Sequence, residues 1–200
     1  ALTFAKNDPL SGFNSIKRKF SFFGDPNLKL VQPDFSIHTT SIEILDSLGG
    51  TISYSDNASL TDTIHSLSYV RLHGEIRDDL QNEFGLNNIM NEFSGLLYIT
   101  VFDKPSLYTT LNNDGFLIEP FDYDLQNSII YNGKVDVVNG LWSCEFIVPK
   151  DINYQYGKGK LSYYANDSII GEATGLNRDI IVGGFSDYAS TDLEGPVIKL

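Results

Sequence analysis

Cysteine, histidine and positive charge are all scarce in this 200-residue chain, which has one Cys, three His, and 14 Lys and Arg against 26 Asp and Glu. The single cysteine, Cys144, excludes an intrachain disulfide, yet it leaves the compartment open because some bacterial surface and periplasmic proteins also do without bridges. A formal net charge of −12 argues against a phosphate-backbone partner, since nucleic-acid binding needs Lys and Arg gathered on one face. The only basic run is Lys17-Arg18-Lys19. His38, His65 and His73 are scattered and have no cysteine companion, so the ligand spacing of a zinc site is missing. No stretch approaches the roughly 20 consecutive apolar residues of a membrane helix, and no spanning segment is expected.

What is abundant is core-forming material in a period of two. Hydrophobic residues make up 42% of the chain and aromatics 12%, enough for one generous core. Val70, Leu72, Gly74 and Ile76 fall on one side of a strand, with Arg71, His73, Glu75 and Arg77 on the other. The same alternation sets Leu97, Ile99 and Val101 against Tyr98 and Thr100, and Leu161, Tyr163 and Ala165 against Ser162, Tyr164 and Asn166. It also sets Phe121, Tyr123 and Leu125 against Asp122, Asp124 and Gln126. Turn chemistry separates these runs at Leu48-Gly49-Gly50, Ser55-Asp56-Asn57, Asn112 to Gly115, Asn132-Gly133, Asn139-Gly140 and Tyr156 to Gly159. Short strands at such spacing predict an all-β sandwich or barrel. Asn139-Gly140 is the strongest hairpin signal, because a type I′ turn needs positive φ at two successive positions. Asp78 to Asn91 is polar and irregular, and reads as a loop or short helix between two sandwich strands.

The two ends read differently. Ala1 to Asn7 suggests a last helical turn or two, and Phe20 to Phe23 an apolar strand closed by Gly24-Asp25-Pro26. Gly195 to Leu200 starts a strand-like run with no polar tail. The chain is therefore expected to be a piece of something longer. The phrases Phe20 to Leu30, Thr100-Val-Phe-Asp-Lys104 and Val148 to Tyr164 together resemble the PorU-type sortases of bacterial type IX secretion, within the gingipain-type cysteine peptidases.

That resemblance implies an immunoglobulin-like antiparallel β-sandwich at about 31–184, behind a helix-and-strand remnant (1–30) of an α/β caspase-like catalytic domain. Residues 185–200 would lead into a following domain. The implied parent is a peptidase at the bacterial surface, on the extracellular face of the outer membrane. It removes C-terminal sorting domains from secreted cargo and joins the cargo to anionic lipopolysaccharide. Its catalytic Cys and His would lie upstream of Ala1, so no catalytic residue is carried onto this chain and no cofactor is implied. The implied partners are the catalytic domain of the same polypeptide, secreted cargo and other secretion-system subunits. The alternative is a free-standing adhesion or glycan-binding sandwich.

Candidate residues divide by the face they occupy. Cys144 shares its strand face with Trp142, Phe146 and Val148, which reads as a small buried hydrophobe with a raised pKa and not as a nucleophile. The three histidines read as exposed strand residues, His73 in a charge ladder with Arg71 and Glu75. Carboxylates at Asp78-Asp79, Asn112 to Asp114 and Asp187 to Glu194 offer oxygen ligands for calcium but lack its regular loop spacing. Most of the 11 Tyr and 13 Phe are expected inside. The exceptions are Tyr108, Tyr154 and Tyr156 near loops, which with Phe22 and Phe23 are the candidate interface residues.

Overall fold

The computed structural model describes residues 33–46, 49–56, 63–78, 88–111 and 119–186. All of them belong to one compact unit that begins at Pro33. The expected N-terminal helix and strand, Phe22 and Phe23 among them, lie outside the described residues, as do Asn112 to Gly115 and Asp187 to Leu200.

Every regular element among the described residues is a strand. These are β1 (Phe35–Leu45), β2 (Thr51–Asp56), β3 (Thr63–Ser66), β4 (Tyr69–Arg77), β5 (Gly95–Phe102), β6 (Ser106–Thr109), β7 (Asp122–Leu125), β8 (Ile129–Val137), β9 (Leu141–Ile147), β10 (Gly157–Lys158), β11 (Lys160–Asp167), β12 (Gly171–Asn177) and β13 (Ile181–Phe185). The period-two arithmetic decides which side chains turn inward. Leu97, Ile99, Val101, Leu161, Tyr163, Ala165, Val70, Leu72 and Ile76 are all buried, while Tyr98, Tyr164 and Asn166 are exposed. Each such apolar side chain removed from water contributes about 1.5–3 kcal/mol, and this drives the layers together.

One hydrogen-bonded path runs β8-β5-β11-β12-β1-β4-β9, with β2 on the free side of β1. Its two end strands, β8 and β9, are consecutive in the chain and joined by Asn139-Gly140, at φ 52° and 74°. A two-residue type I′ turn cannot span a flat sheet, so the path must fold back on itself. The fold line on the other side is the short parallel pairing of β12 with β1, limited to Phe35↔Ala173 and Ser36↔Thr174. The result is a predominantly antiparallel sandwich, one of the two architectures the strand spacing predicts and the one the resemblance implies, with β8-β5-β11-β12 facing β2-β1-β4-β9. Contacts across the interior seal it. Trp142 of β9 lies 5.1 Å from Tyr163 of β11, whose hydroxyl is 2.7 Å from Thr39 Oγ1 of β1. Tyr131 of β8 stacks on Phe146 of β9 at 4.6 Å.

Several expectations are corrected. Asn132-Gly133 is not a turn: it lies inside β8, with Gly133 opposite Ile99, and the end of the Tyr131 side chain lies over Gly133 where a Cβ would project. Ser55 and Asp56 belong to β2, and Gly157-Lys158 to the short β10, which pairs with β13. Glu75 is buried and accepts a hydrogen bond from Arg77 Nε at 2.5 Å, so the polar side of β4 is only partly solvated. The three histidines are half-buried, not exposed. Phe121, Tyr123 and Leu125 do not face the core. They lie on and beside β7, which among the described residues pairs only with β6 in a separate two-stranded arm.

Candidate interaction surface

The chemical candidates resolve into structural roles. Cys144 is 2% exposed, its thiol 3.6 Å from the Tyr131 hydroxyl, and burial pushes its pKa up. A thiol held protonated in a core is a poor nucleophile. His65 Nδ1 lies 2.7 Å from the Gly183 carbonyl and His38 Nε2 lies 2.8 Å from Ser36 Oγ. His73 Nε2 is 3.5 Å from Glu43, and Arg71 reaches Glu43 at 3.2 Å and Glu145 at 2.6 Å, so the ladder runs across strands through these two carboxylates and not through Glu75, which pairs with Arg77. The Tyr69 hydroxyl and then Arg71 hold the Glu145 carboxyl below the usual range. Among the described residues no three metal-ligating side chains converge.

The arm is a different kind of object. Its register pairs Ser106 with Leu125, Leu107 with Asp124, Tyr108 with Tyr123 and Thr109 with Asp122. Thr110 and Phe121 extend the ladder by one step, with Thr110 N donating to the Phe121 carbonyl at 3.0 Å. Alternation therefore puts Tyr108, Phe121, Tyr123 and Leu125 on one side, where the Tyr108 and Tyr123 rings stack at 6.0 Å. The other side carries Asp122 and Asp124 beside Leu107, with Thr109 Oγ1 donating to Asp122 at 2.6 Å. Leu107 and Phe121 are each 69% exposed. An isolated two-stranded hairpin is marginal in water, and exposed apolar groups of this size mark surfaces made for contact.

A buried ion pair mounts the arm. Lys104 and Asp103, at the end of β5, are 8% and 6% exposed, with Nζ 2.6 Å from Oδ1. The same ammonium donates to the Asn153 carbonyl at 2.6 Å, and Asn153 N donates to Asp103 Oδ2 at 3.4 Å. Gln126, just past β7, donates to the Asp103 carbonyl at 2.7 Å. Three segments thus meet at one pair: the strand entering the arm, the strand leaving it, and the 149–156 loop. A cleft of about 370 Å³ at this root is lined in part by Ser106, Ile129 and Asp151.

Three of the five predicted interface residues, Tyr108, Tyr154 and Tyr156, lie among the described residues. Tyr108 lies on β6, while Tyr154 and Tyr156 lie on the loop that Asn153 anchors. The Tyr154 hydroxyl donates to the Lys150 carbonyl at 2.8 Å, and Tyr156 stands edge-on to His65 at 6.2 Å. Phe22 and Phe23 lie outside the described residues. The sequence reading missed Phe121, Tyr123 and Leu125, which alternation assigned to the core, and the Asp103–Lys104 pair. The signal for that pair was available: a Lys directly after an Asp at the end of an apolar strand, followed by Pro105.

No family model matches the chain, and no curated protein matches it. Among solved structures it is similar to part of the crystal structure of dimeric latent PorU from Porphyromonas gingivalis, with 30% identity and a TM-score of 0.61. That alignment covers 84% of this chain and 14% of that one, so the chain is related to a domain of PorU and spans a small part of its length. The C-terminal domain of wzt aligns over 84% of this chain and 89% of its own at 9% identity and a TM-score of 0.31, too low to carry an argument.

Proposed function

We propose that this chain is a non-catalytic accessory β-sandwich of a surface cysteine-peptidase sortase. In this reading the parent removes C-terminal sorting domains from type IX secretion cargo and attaches the cargo to anionic lipopolysaccharide at the bacterial surface. The carrying observation is the similarity to a domain of PorU over 84% of the chain. The state of Cys144 supports the non-catalytic part, since its thiol is buried with a raised pKa. The sandwich spans about 31–184, follows the end of the peptidase domain and leads at 185–200 into the next one. Tyr108, Tyr154 and Tyr156 are its contact residues toward the catalytic domain, cargo or other secretion-system subunits. Reading the parent frame upstream of Ala1 tests this. A caspase-like α/β pattern with a His and a downstream Cys at strand ends is expected, and a start signal close to Ala1 would overturn it.

One observation favours a second reading, a glycan-binding sandwich. Tyr98 and Tyr164 are exposed neighbours on the outer side of β5 and β11, with ring centroids 6.1 Å apart and planes at 35°. A glycan array separates the readings: binding lost on Tyr98→Ser would support the second, and a blank array would leave the Tyr pair as cross-strand packing.

A further inference from the structure

The arm's two sides differ in kind, and that difference specifies a partner. An extended strand presents successive side chains to opposite sides, so a strand added to either open edge of the arm would place alternate residues over the aromatic side and the acidic side. Among the described residues neither β6 nor β7 has a further strand partner, so each keeps one edge of backbone donors and acceptors. One side offers Tyr108, Phe121, Tyr123 and Leu125, and the other offers Asp122 and Asp124. From Pro105 to Gly133 the sequence has four carboxylates and no Lys or Arg. Lys104, which precedes this span, is buried against Asp103. A second copy of this chain, at −12, would bring like charge to that acidic side.

We infer that the β6–β7 arm captures an extended peptide segment of alternating apolar and basic residues by adding it as a third strand. The peptide's apolar side chains cover the tyrosine stack and Phe121, its Lys or Arg side chains meet Asp122 and Asp124, and its main chain satisfies an open edge. The buried Asp103–Lys104 pair fixes the arm's direction, so capture does not first have to order it. The inference rests on reading the arm as an interaction surface.

Fluorescence anisotropy with a labelled octapeptide of alternating lysine and valine tests it on the whole 200-residue chain. Alternating glutamate–valine and lysine–proline octapeptides serve as comparisons, the last keeping the charge while being unable to form a strand. The lysine–valine peptide is expected to bind, with both comparisons at least tenfold weaker. Tyr108→Ser with Tyr123→Ser, and separately Asp122→Asn with Asp124→Asn, should each weaken binding at least fivefold. Tyr54→Ser on β2, an exposed tyrosine of the β2-β1-β4-β9 layer, should leave binding unchanged. The exposed Asp→Asn pair keeps the test valid if the tyrosine variant folds poorly. Equal binding of the lysine–proline peptide, wild-type binding by the arm variants, or no binding at all would each overturn the inference. Self-association abolished by the tyrosine variant would also overturn it, naming a second copy as occupant. If the peptide fails but a peptidase region of the same polypeptide captures the chain through Tyr108 and Tyr123, the peptide is wrong and the interaction surface stands.

Discussion

Replacing Asp103 by Asn should be among the most costly single changes outside the apolar core. At 2.6 Å, unit charges attract by about 6 kcal/mol for an effective dielectric near 20, and desolvating the two ions takes back a comparable amount. The net worth of the intact pair is therefore small, while the cost of breaking it is not. Asp103→Asn leaves the Lys104 ammonium, 8% exposed, with the Asn153 carbonyl as its remaining strong partner. An uncompensated buried charge costs about 3–5 kcal/mol, a large share of the roughly 5–15 kcal/mol that holds a domain together. With a urea m-value near 2 kcal/mol/M, the unfolding midpoint should fall by about 1.5–2.5 M. Adding Lys104→Met removes the stranded charge, so the double variant should recover about 2 kcal/mol or more relative to additivity. Limited proteolysis should cut Asp103→Asn faster within 105–129, because the arm loses its anchor. A loss below about 1 kcal/mol, or a strictly additive double variant, would refute the reasoning that a buried pair mounts the arm.

Gly74→Ala should cost about 1–3 kcal/mol in thermal or urea unfolding, because a Cβ there would overlap the His38 carbonyl and the Trp142 ring. Cys144 should resist a thiol probe in the native state and react in full after denaturation. At alkaline pH the chain should lose stability: burial raises Tyr131 to about 12 and also raises Tyr163 and Cys144. Groups with raised native pKa values stabilise below their unfolded values, near 8.5 for Cys and 10 for Tyr, and that contribution fades as pH climbs toward the native values. The acid limb runs the opposite way. Hydrogen bonds from Ile169, Ser94 and Ile170 depress Asp167, so its contribution is present above about pH 4 and is lost as pH falls toward its native value. Urea midpoints at pH 3, 7 and 10.5 check both limbs, and a flat profile would contradict them.

Period-two alternation was enough to give most strands their inward sides, because a strand buried on one side must repeat every second residue. It assigned Leu97, Ile99 and Val101, and equally Trp142, Cys144 and Phe146, to the interior, and the Asn139-Gly140 turn followed from its demand for positive φ. The same rule failed at Phe121, Tyr123 and Leu125. Alternation records that one side of a strand is apolar, not what covers it, and among the described residues β7 has only β6 beside it. The β3–β4 turn at Leu67, φ 62°, was illegible for a related reason. No Gly or Asn marks it, and its hydrogen bonds come from a distant strand end at Val148 and from His65.

By itself the sequence determined most of the strands and their inward sides, the acidic charge and the burial of Cys144. Only the tertiary structure decided that β8 and β9 close the path on itself, that Glu75 is buried, and that the arm stands apart on a buried Asp103–Lys104 mount. The division has a physical cause. Strand formation and alternation are local, set by neighbours one or two residues away, whereas closure, burial of charge and exposure of an apolar side depend on segments tens of residues distant, such as Asn153 meeting Lys104.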